Sequence, residues 1–280
     1  MTETKKVLLI KDHPAMLDLL NAFPANQWIT ETVPDSVEAL TRIHEKDYDL
    51  VVTGLGTSGQ SDVELLLRMR TVRPHLKLIV LTEESTPDTL LASIRAHAFS
   101  YFTGSFDAQS LSVMIERALS EPGWDDGIEI ISLKPEWIAL RLKCQMLTVE
   151  RVVQFMREIR ADLPDKEREQ IGAAFREILS NAVEHGGRFD PQKTVEMTRV
   201  RAARTIIYII RDPGQGFALS NLPQSALSDT ADEPLAHTDY RRQHGMRPGG
   251  FGILLSTGLV DELIYSDKGN EVLLIKHIRE

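Results

Sequence analysis

Residues 177–185 read Glu-Ile-Leu-Ser-Asn-Ala-Val-Glu-His, and this stretch carries the first indication of the fold. Its polar members Glu177, Asn181 and His185 are four residues apart, which places them along one slowly drifting face of a helix. A carboxylate and an amide on one face can serve a nucleophile and a metal ion, respectively. A solvated polar face would show the same spacing, so this stretch alone leaves both interpretations open.

Two glycine-rich segments follow it. An apolar run ends just before Asp212-Pro-Gly-Gln-Gly216, where Gly214 and Gly216 let the backbone approach a flat ligand and Asp212 offers an acceptor for a purine amino group. Residues 248–255 read Pro-Gly-Gly-Phe-Gly-Ile-Leu-Leu, a glycine loop that opens an apolar helix and suits phosphate groups. Each segment alone could be an ordinary turn or loop, whereas the three in this order indicate a nucleotide site.

Together these segments resemble the N-box and two glycine boxes of the GHKL ATPase superfamily, and the resemblance spans residues 128–280. It implies the α+β sandwich of that superfamily, the Bergerat fold, with ATP and Mg²⁺ as cofactors. Within the superfamily, the chain is most similar to the anti-sigma factor serine kinases. Two features carry this similarity: the sequence Asn-Ala-Val-Glu-His, and a predicted strand followed by a long helix that begins at 135–138. Those kinases phosphorylate small sigma-antagonist proteins of the STAS type.

The resemblance also implies a role for each matching residue. Glu177 would be the general base toward a protein hydroxyl, Asn181 the Mg²⁺ ligand and Asp212 the adenine contact. Apart from the resemblance, Arg241, Arg242 and Arg247 are the only Lys or Arg residues in the polar stretch 221–247, so one of them, with Arg247 as the candidate, would contact the γ-phosphate; three solvated loop arginines are the alternative. The remaining implied nucleotide-binding positions are His185, Gly214, Gly216, Gly249, Gly250 and Gly252.

Periodicity predicts the other elements of this second domain, and strands joined by short loops with helices on one side indicate an α+β sandwich. Gly269-Asn270 is a hairpin signal between the last two strands. Strands are predicted at 128–133, 195–201, 205–211, 262–265 and 271–277, and helices at 137–159, at 165–183 and from Ile253.

Residues 121–127, rich in Pro, Gly and acidic side chains, form a predicted linker after a first domain at 1–120. In that domain, apolar runs at 7–10, 49–53 and 77–81 alternate with amphipathic stretches. This alternation predicts βαβ crossovers and a parallel sheet covered on both faces. The order resembles the receiver domain of response regulators, an α/β flavodoxin-like unit with a parallel five-stranded sheet.

The first domain departs from a working receiver where phosphorylation needs specific residues. Asp12 and Thr82 match the receiver pattern, but Gly54 stands at the phosphoacceptor position and Gly104 at the lysine position. Asp49 begins its strand and therefore lies at the opposite edge of the sheet from the site. We therefore predict a pseudo-receiver, a degenerate receiver that acts by binding or dimerisation.

Composition excludes several classes of function. The 280 residues include 32 Lys+Arg and 41 Asp+Glu, a net charge of −9, and residues 1–120 alone carry 11 basic and 16 acidic side chains. Neither half has the positive charge that a nucleic-acid backbone needs, so we expect no nucleic-acid ligand. The single Cys144 excludes an intramolecular disulfide. The first apolar run is too short for a signal peptide or a membrane span, so the expected location is the cytoplasm.

These observations predict a signalling regulator in which a pseudo-receiver controls a Mg-ATP-dependent protein serine/threonine kinase. Its acceptor would be a STAS-type antagonist in a partner-switching pathway, with a sigma factor as a second candidate partner, and a homodimer is compatible with this interpretation. One alternative is a non-catalytic switch that binds ATP to sequester a partner. Another is a histidine-kinase-like ATPase module of a two-component system, although His44-Glu45 lies in the first domain's helix pattern rather than on an acceptor helix. Gyrase-type relatives would carry a further domain after Glu280, which we do not expect here.

Overall fold

The computed structural model describes residues 4–10, 28–56, 58–83, 85–104, 106, 108–120, 125–159, 163–217, 243 and 252–278. The chain divides into two compact units. The first comprises Met1–Asp126 with Gln154–Ile159, and the second comprises Gly127–Val153 with Arg160–Glu280. Within the described ranges, no helix is long and apolar enough to cross a membrane.

The first unit is built from alternating strands and helices. Their bounds are β1 Lys6–Ile10, β2 Ile29–Val33, α1 Ser36–Glu45, β3 Leu50–Val52, α2 Gly59–Val72, β4 Lys77–Thr82, α3 Pro87–Arg95, β5 Ser100–Thr103 and α4 Ala108–Ser120. All five strands are parallel and lie in the order β2-β1-β3-β4-β5. This topology confirms the predicted flavodoxin-like α/β fold.

Burial explains which strands the sequence reveals. The inner strands β1, β3 and β4 are almost wholly buried and apolar, as expected for a parallel sheet covered on both faces. Strand β2 is an edge strand in which only Val33 is buried, so Ile-Thr-Glu-Thr-Val lacks the apolar run that marks its neighbours. Its position could not be assigned from the sequence for this reason.

The second unit carries a six-stranded antiparallel sheet with helices. The elements after the first 126 residues are β6 Ile128–Lys134, β7 Trp137–Lys143, α5 Met146–Glu158, α6 Asp165–Asn181, a π-helix Ala182–Gly186, β8 Thr194–Ala202, β9 Thr205–Arg211, α7 Gly252–Leu259, β10 Glu262–Tyr265 and β11 Glu271–His277. All belong to the second unit except the part of α5 from Gln154 onward, which is assigned to the first. The strand order is β10-β11-β9-β8-β7-β6, and every neighbouring pair is antiparallel. This arrangement confirms the α+β sandwich of the GHKL type.

One predicted helix is wrong over its first part. Residues 137–159 were expected to be helical throughout, but β7 occupies Trp137–Lys143 and α5 begins at Met146. Ile138, Leu140 and Leu142 are buried, whereas Trp137 is exposed and Arg141 and Lys143 are half-buried, which is close to the period of two of a strand. Strand β7 pairs with β6 as a hairpin, so 135–138 is not the start of a long helix.

Helices cover the sheet face on which the apolar side chains of β9 and β11 lie. Tyr208 and Ile210 of β9 and Leu274 of β11 are buried on this face. Phe175 of α6 packs on Tyr208 with ring centroids 4.4 Å apart. Helix α6 thereby has a fixed position over the sheet, and its C-terminal end lies next to the segment that follows β9.

The C-terminal end of α6 departs from regular α-helix. The sequence predicts a helix to Val183, whereas the α-helix ends at Asn181 and a π-helix covers Ala182–Gly186. The Gly187 N–H donates to the Ala182 carbonyl at 2.9 Å, a bond that spans five residues. Single π-turns within helices are common at functional sites because the wide turn changes the direction of the side chains and backbone beyond it.

Candidate functional site

Described parts of all three predicted segments come together in the second unit. Gly252, the first residue of α7, lies against the Glu177 carboxylate of α6. Gly186, the last residue of the π-helix, lies against the side chain of Asp212, which follows β9. The site is therefore bounded by the end of α6, the start of α7 and the loop after β9.

Glu177 and Asn181 form a pair on one face of α6. The Asn181 Nδ2 atom donates to Glu177 Oε1 at 3.3 Å, and both side chains are half-buried. Because the amide group uses its nitrogen here, the Asn181 Oδ1 atom is left as an oxygen ligand for a hard cation. A Mg²⁺ ion held by one protein oxygen, water and nucleotide phosphates fits this arrangement. Within the residues that the structure describes, no group of three or more His, Cys, Asp or Glu could hold a metal by itself.

The beginning of α7 needs a glycine. A Cβ atom at Gly252 would overlap the Glu177 carboxylate, so glycine lets the N-terminus of α7 approach that group. Backbone N–H groups at a helix N-terminus favour bound anions. Gly249, Gly250 and Arg247, the other predicted phosphate contacts, lie outside the described residues.

Asp212 is held in place by its own loop and by Asn270, the residue just before β11. Its Oδ1 atom accepts from the Gly214 N–H at 2.7 Å, and its N–H donates to the Asn270 carbonyl at 2.9 Å. The Asn270 Nδ2 atom donates to the Asp212 carbonyl at 3.3 Å. Burial raises the pKa of the Asp212 carboxyl, opposed by the Gly214 hydrogen bond and by the charge of Lys268. Its Oδ2 atom is left to accept a hydrogen bond from a ligand amino group.

Gly186 is a site residue that the sequence reading missed. A Cβ atom there would overlap the Asp212 side chain, and a Cβ atom at Gly214 would lie 2.7 Å from Asp212 Oδ1 and 3.0 Å from the Gly186 Cα. The π-helix and the loop after β9 thus meet around one carboxylate. The only signal in the sequence was the Gly186-Gly187 pair directly after His185. The His185 side chain is exposed, and the structure gives it no hydrogen bond or ion pair among the described residues.

Gly216 packs against the β10–β11 turn. It has φ +78°, and a Cβ atom there would overlap the Lys268 carbonyl, while a Cβ atom at Gly269 (φ +76°) would overlap the Phe217 carbonyl. Both positions favour glycine, because the backbone is left-handed and because there is no room for a Cβ atom. The loop after β9 therefore packs closely against the turn between the last two strands.

In the first unit, the predicted receiver positions lie at the carboxyl ends of neighbouring strands. Gly54 follows β3 and is buried, Thr82 ends β4, and the Gly104 N–H donates to the Thr82 carbonyl at 2.9 Å. Asp12 lies outside the described residues. Asp49 accepts from Lys5 Nζ at 2.8 Å beside the start of β1, at the opposite edge of the sheet. The carboxyl-end edge thus presents glycine where an acceptor carboxylate and a lysine would be.

Two known domain families match separate ranges of the chain. Residues 7–116 match the response regulator receiver domain, and residues 142–276 match the histidine kinase-like ATPase domain. The matched ranges contain the pseudo-receiver positions and the Glu177, Asn181 and Asp212 site, respectively.

Several characterised proteins are similar to part of the chain. The chemotaxis protein CheY of Pseudomonas aeruginosa is 26% identical over 116 residues, which is 40% of this chain and 94% of CheY. The DNA-binding transcriptional regulator NtrC of Rhizobium meliloti is 29% identical over 117 residues, 41% of this chain. The match spans only 24% of that NtrC and 15% of the NtrC of Azospirillum brasilense.

Solved structures with similarity include receiver domains. The CheY-like receiver domain from Methanospirillum hungatei JF-1 has a TM-score of 0.39 and 22% identity, covering 42% of this chain and 95% of its own. A response regulator from Thermotoga maritima has a TM-score of 0.39 and 22% identity, covering 42% of this chain and 100% of its own.

Proposed function

We propose that this chain, in which a receiver domain precedes a histidine kinase-like ATPase domain, is a Mg-ATP-dependent protein serine/threonine kinase. The observation that supports this most directly is the Glu177 carboxylate, which lies between Asn181 and the first residue of α7. A carboxylate at this end of a nucleotide site can accept the proton of an attacking hydroxyl. A module that only binds ATP has no use for a base there.

The chain's residues divide the task between the two ends of the nucleotide. Asp212 Oδ2 accepts from the base amino group, and the backbone at the start of α7 receives the phosphates. Asn181 Oδ1 would hold Mg²⁺, which neutralises phosphate charge during transfer. Glu177 would then take the proton from the serine or threonine hydroxyl of the protein acceptor as that oxygen attacks the γ-phosphorus. The bond from the γ-phosphorus to the β,γ-bridging oxygen breaks, and ADP leaves.

The proposed acceptor is a small sigma-antagonist protein of the STAS type, with a sigma factor as a second partner, in the cytoplasm. The pseudo-receiver would set the output of the kinase, alone or as part of a homodimer. These partners follow from the resemblance of the Glu177–His185 motif to anti-sigma factor serine kinases.

Radiolabelled transfer tests this proposal. The purified full chain is incubated with Mg²⁺ and γ-labelled ATP, together with the STAS-type protein encoded nearest to its gene. Label that is stable to acid, and that maps to serine or threonine of the partner, is the expected result. Acid-labile label on histidine would instead support the histidine-kinase alternative, and nucleotide binding without any transfer would support the binding switch.

A second experiment tests the pseudo-receiver. Because Gly54 occupies the acceptor position and Gly104 (φ +59°) the lysine position, acetyl phosphate should leave residues 1–120 of the full chain unlabelled. Mass spectrometry checks this, with a working CheY treated in parallel to show that the reagent is active. An acyl phosphate on any aspartate of this domain would show that the receiver retains its chemistry.

A further inference from the structure

Tyr265 is the last residue of β10. It lies on the same face of the sheet as the nucleotide site and at the same end of the strands. It pairs directly with Val272 of β11, which pairs with Ile210 of β9, so the three side chains share one face. Val272 and Ile210 are buried on the face that α6 covers. Strands β9 and β10 both run antiparallel to β11 and therefore point in the same direction. Tyr265, the last residue of β10, and Asp212, which directly follows β9, thus lie at the same end of the strands.

The Tyr265 ring is held against the loop that contains Asp212. It packs edge-on to Phe217, with ring centroids 5.4 Å apart and planes at 62°. Phe217 follows Gly216, and its carbonyl lies against Gly269 in the turn after β10. These contacts hold Tyr265 against the loop that contains Asp212.

Tyr265 is half-buried, and within the described part of the chain its hydroxyl makes no hydrogen bond, which leaves it able to bond to a ligand. Burial, together with the negative charges of Asp212 and Glu177, raises the pKa of Tyr265 above its ordinary value. The phenol therefore stays protonated at neutral pH and can donate a hydrogen bond.

We infer that Tyr265 contacts the bound nucleotide and donates a hydrogen bond to the base, beside the amino group that Asp212 accepts. This inference rests on the proposed function. Adenine presents an amino donor next to a ring-nitrogen acceptor, which complements one carboxylate acceptor and one hydroxyl donor. Guanine presents a carbonyl acceptor next to an N–H donor, the reverse order. Asp212 and Tyr265 together would therefore select adenine over guanine.

The test compares Tyr265→Phe with Tyr208→Phe in the full chain, by titration with fluorescent ATP, ADP and GTP analogues. Losing one neutral hydrogen bond should weaken ATP and ADP equally, by about three- to tenfold, and reduce the preference for ATP over GTP. Tyr208→Phe removes another buried hydroxyl from the same sheet face but at the Phe175 contact, so it should leave affinity unchanged. Thermal unfolding of each variant confirms that it is folded.

The outcomes separate this inference from the proposed function. If the wild type binds ATP and Tyr265→Phe binds it with the same affinity and selectivity, Tyr265 does not contact the base. A loss for ATP but not ADP would place the hydroxyl at the γ-phosphate and also contradict the inference. A wild-type chain that binds no nucleotide would overturn the proposed function itself.

Discussion

Glu177→Gln is expected to reduce phosphoryl transfer by about 10²–10⁴-fold, the usual contribution of a general base. Mg-ATP affinity should stay within a few-fold of the wild type. Glutamine keeps an Oε1 atom that can accept from Asn181 Nδ2, so the 3.3 Å contact can survive while the base is lost. Transfer to the protein acceptor, or slow ATP hydrolysis in its absence, gives the rate, and a fluorescent nucleotide gives the affinity.

Asn181→Ala should behave differently because it removes the proposed metal oxygen. Mg²⁺ is held against the phosphates already in the ground state, so both affinity and turnover should fall. Glu169→Gln is the matched control for Glu177→Gln, because Glu169 is an exposed carboxylate on the same helix. If Glu177→Gln retains wild-type turnover, the kinase mechanism is wrong and the ATP-dependent binding switch replaces it.

The strands around the site were predictable because local patterns determine them. Strands β10 and β11 have the bounds that apolar alternation predicts, and Gly269 forms the turn between them with φ +76°. Strand β7 was predicted as helix because its apolar residues run on into those of α5, and only the sheet pairing separates the two. The edge strand β2 lacked a signal because most of its residues are exposed.

The parts of the site that the sequence did not reveal depend on contacts between distant segments. Asp212 could be predicted as a site residue from its own loop, because the sequence Asp-Pro-Gly-Gln-Gly is a local motif. Gly186 and Tyr265 become site residues only when the π-helix and β10 are placed against that loop. The spacing of apolar residues in 182–186 does not distinguish a π-helix from a continued α-helix. The wide turn lies beside the contacts that Gly186 and Gly187 make with distant segments, and those contacts are not visible in the sequence.

Gly186→Ala should lower nucleotide affinity about 10- to 100-fold, because it displaces Asp212. The added Cβ atom would overlap the Asp212 Cβ as well as its carboxylate, so a rotation of the side chain cannot relieve the clash. Either the π-helix or the loop after β9 must move. That movement would disturb the 2.7 Å bond between Asp212 Oδ1 and the Gly214 N–H and displace the oxygen that accepts from the base.

Gly172→Ala is the matched control for Gly186→Ala, since it makes the same substitution in α6 where a Cβ atom would meet nothing within 4 Å. It should leave nucleotide affinity unchanged and stabilise the helix by up to about 1 kcal/mol, the difference between Gly and Ala in a helix interior. If Gly186 acts through Asp212, adding Gly186→Ala to Asp212→Asn should weaken binding little further, because the two changes remove the same contact. Wild-type affinity in a folded Gly186→Ala variant would mean that the position of Asp212 does not depend on this packing.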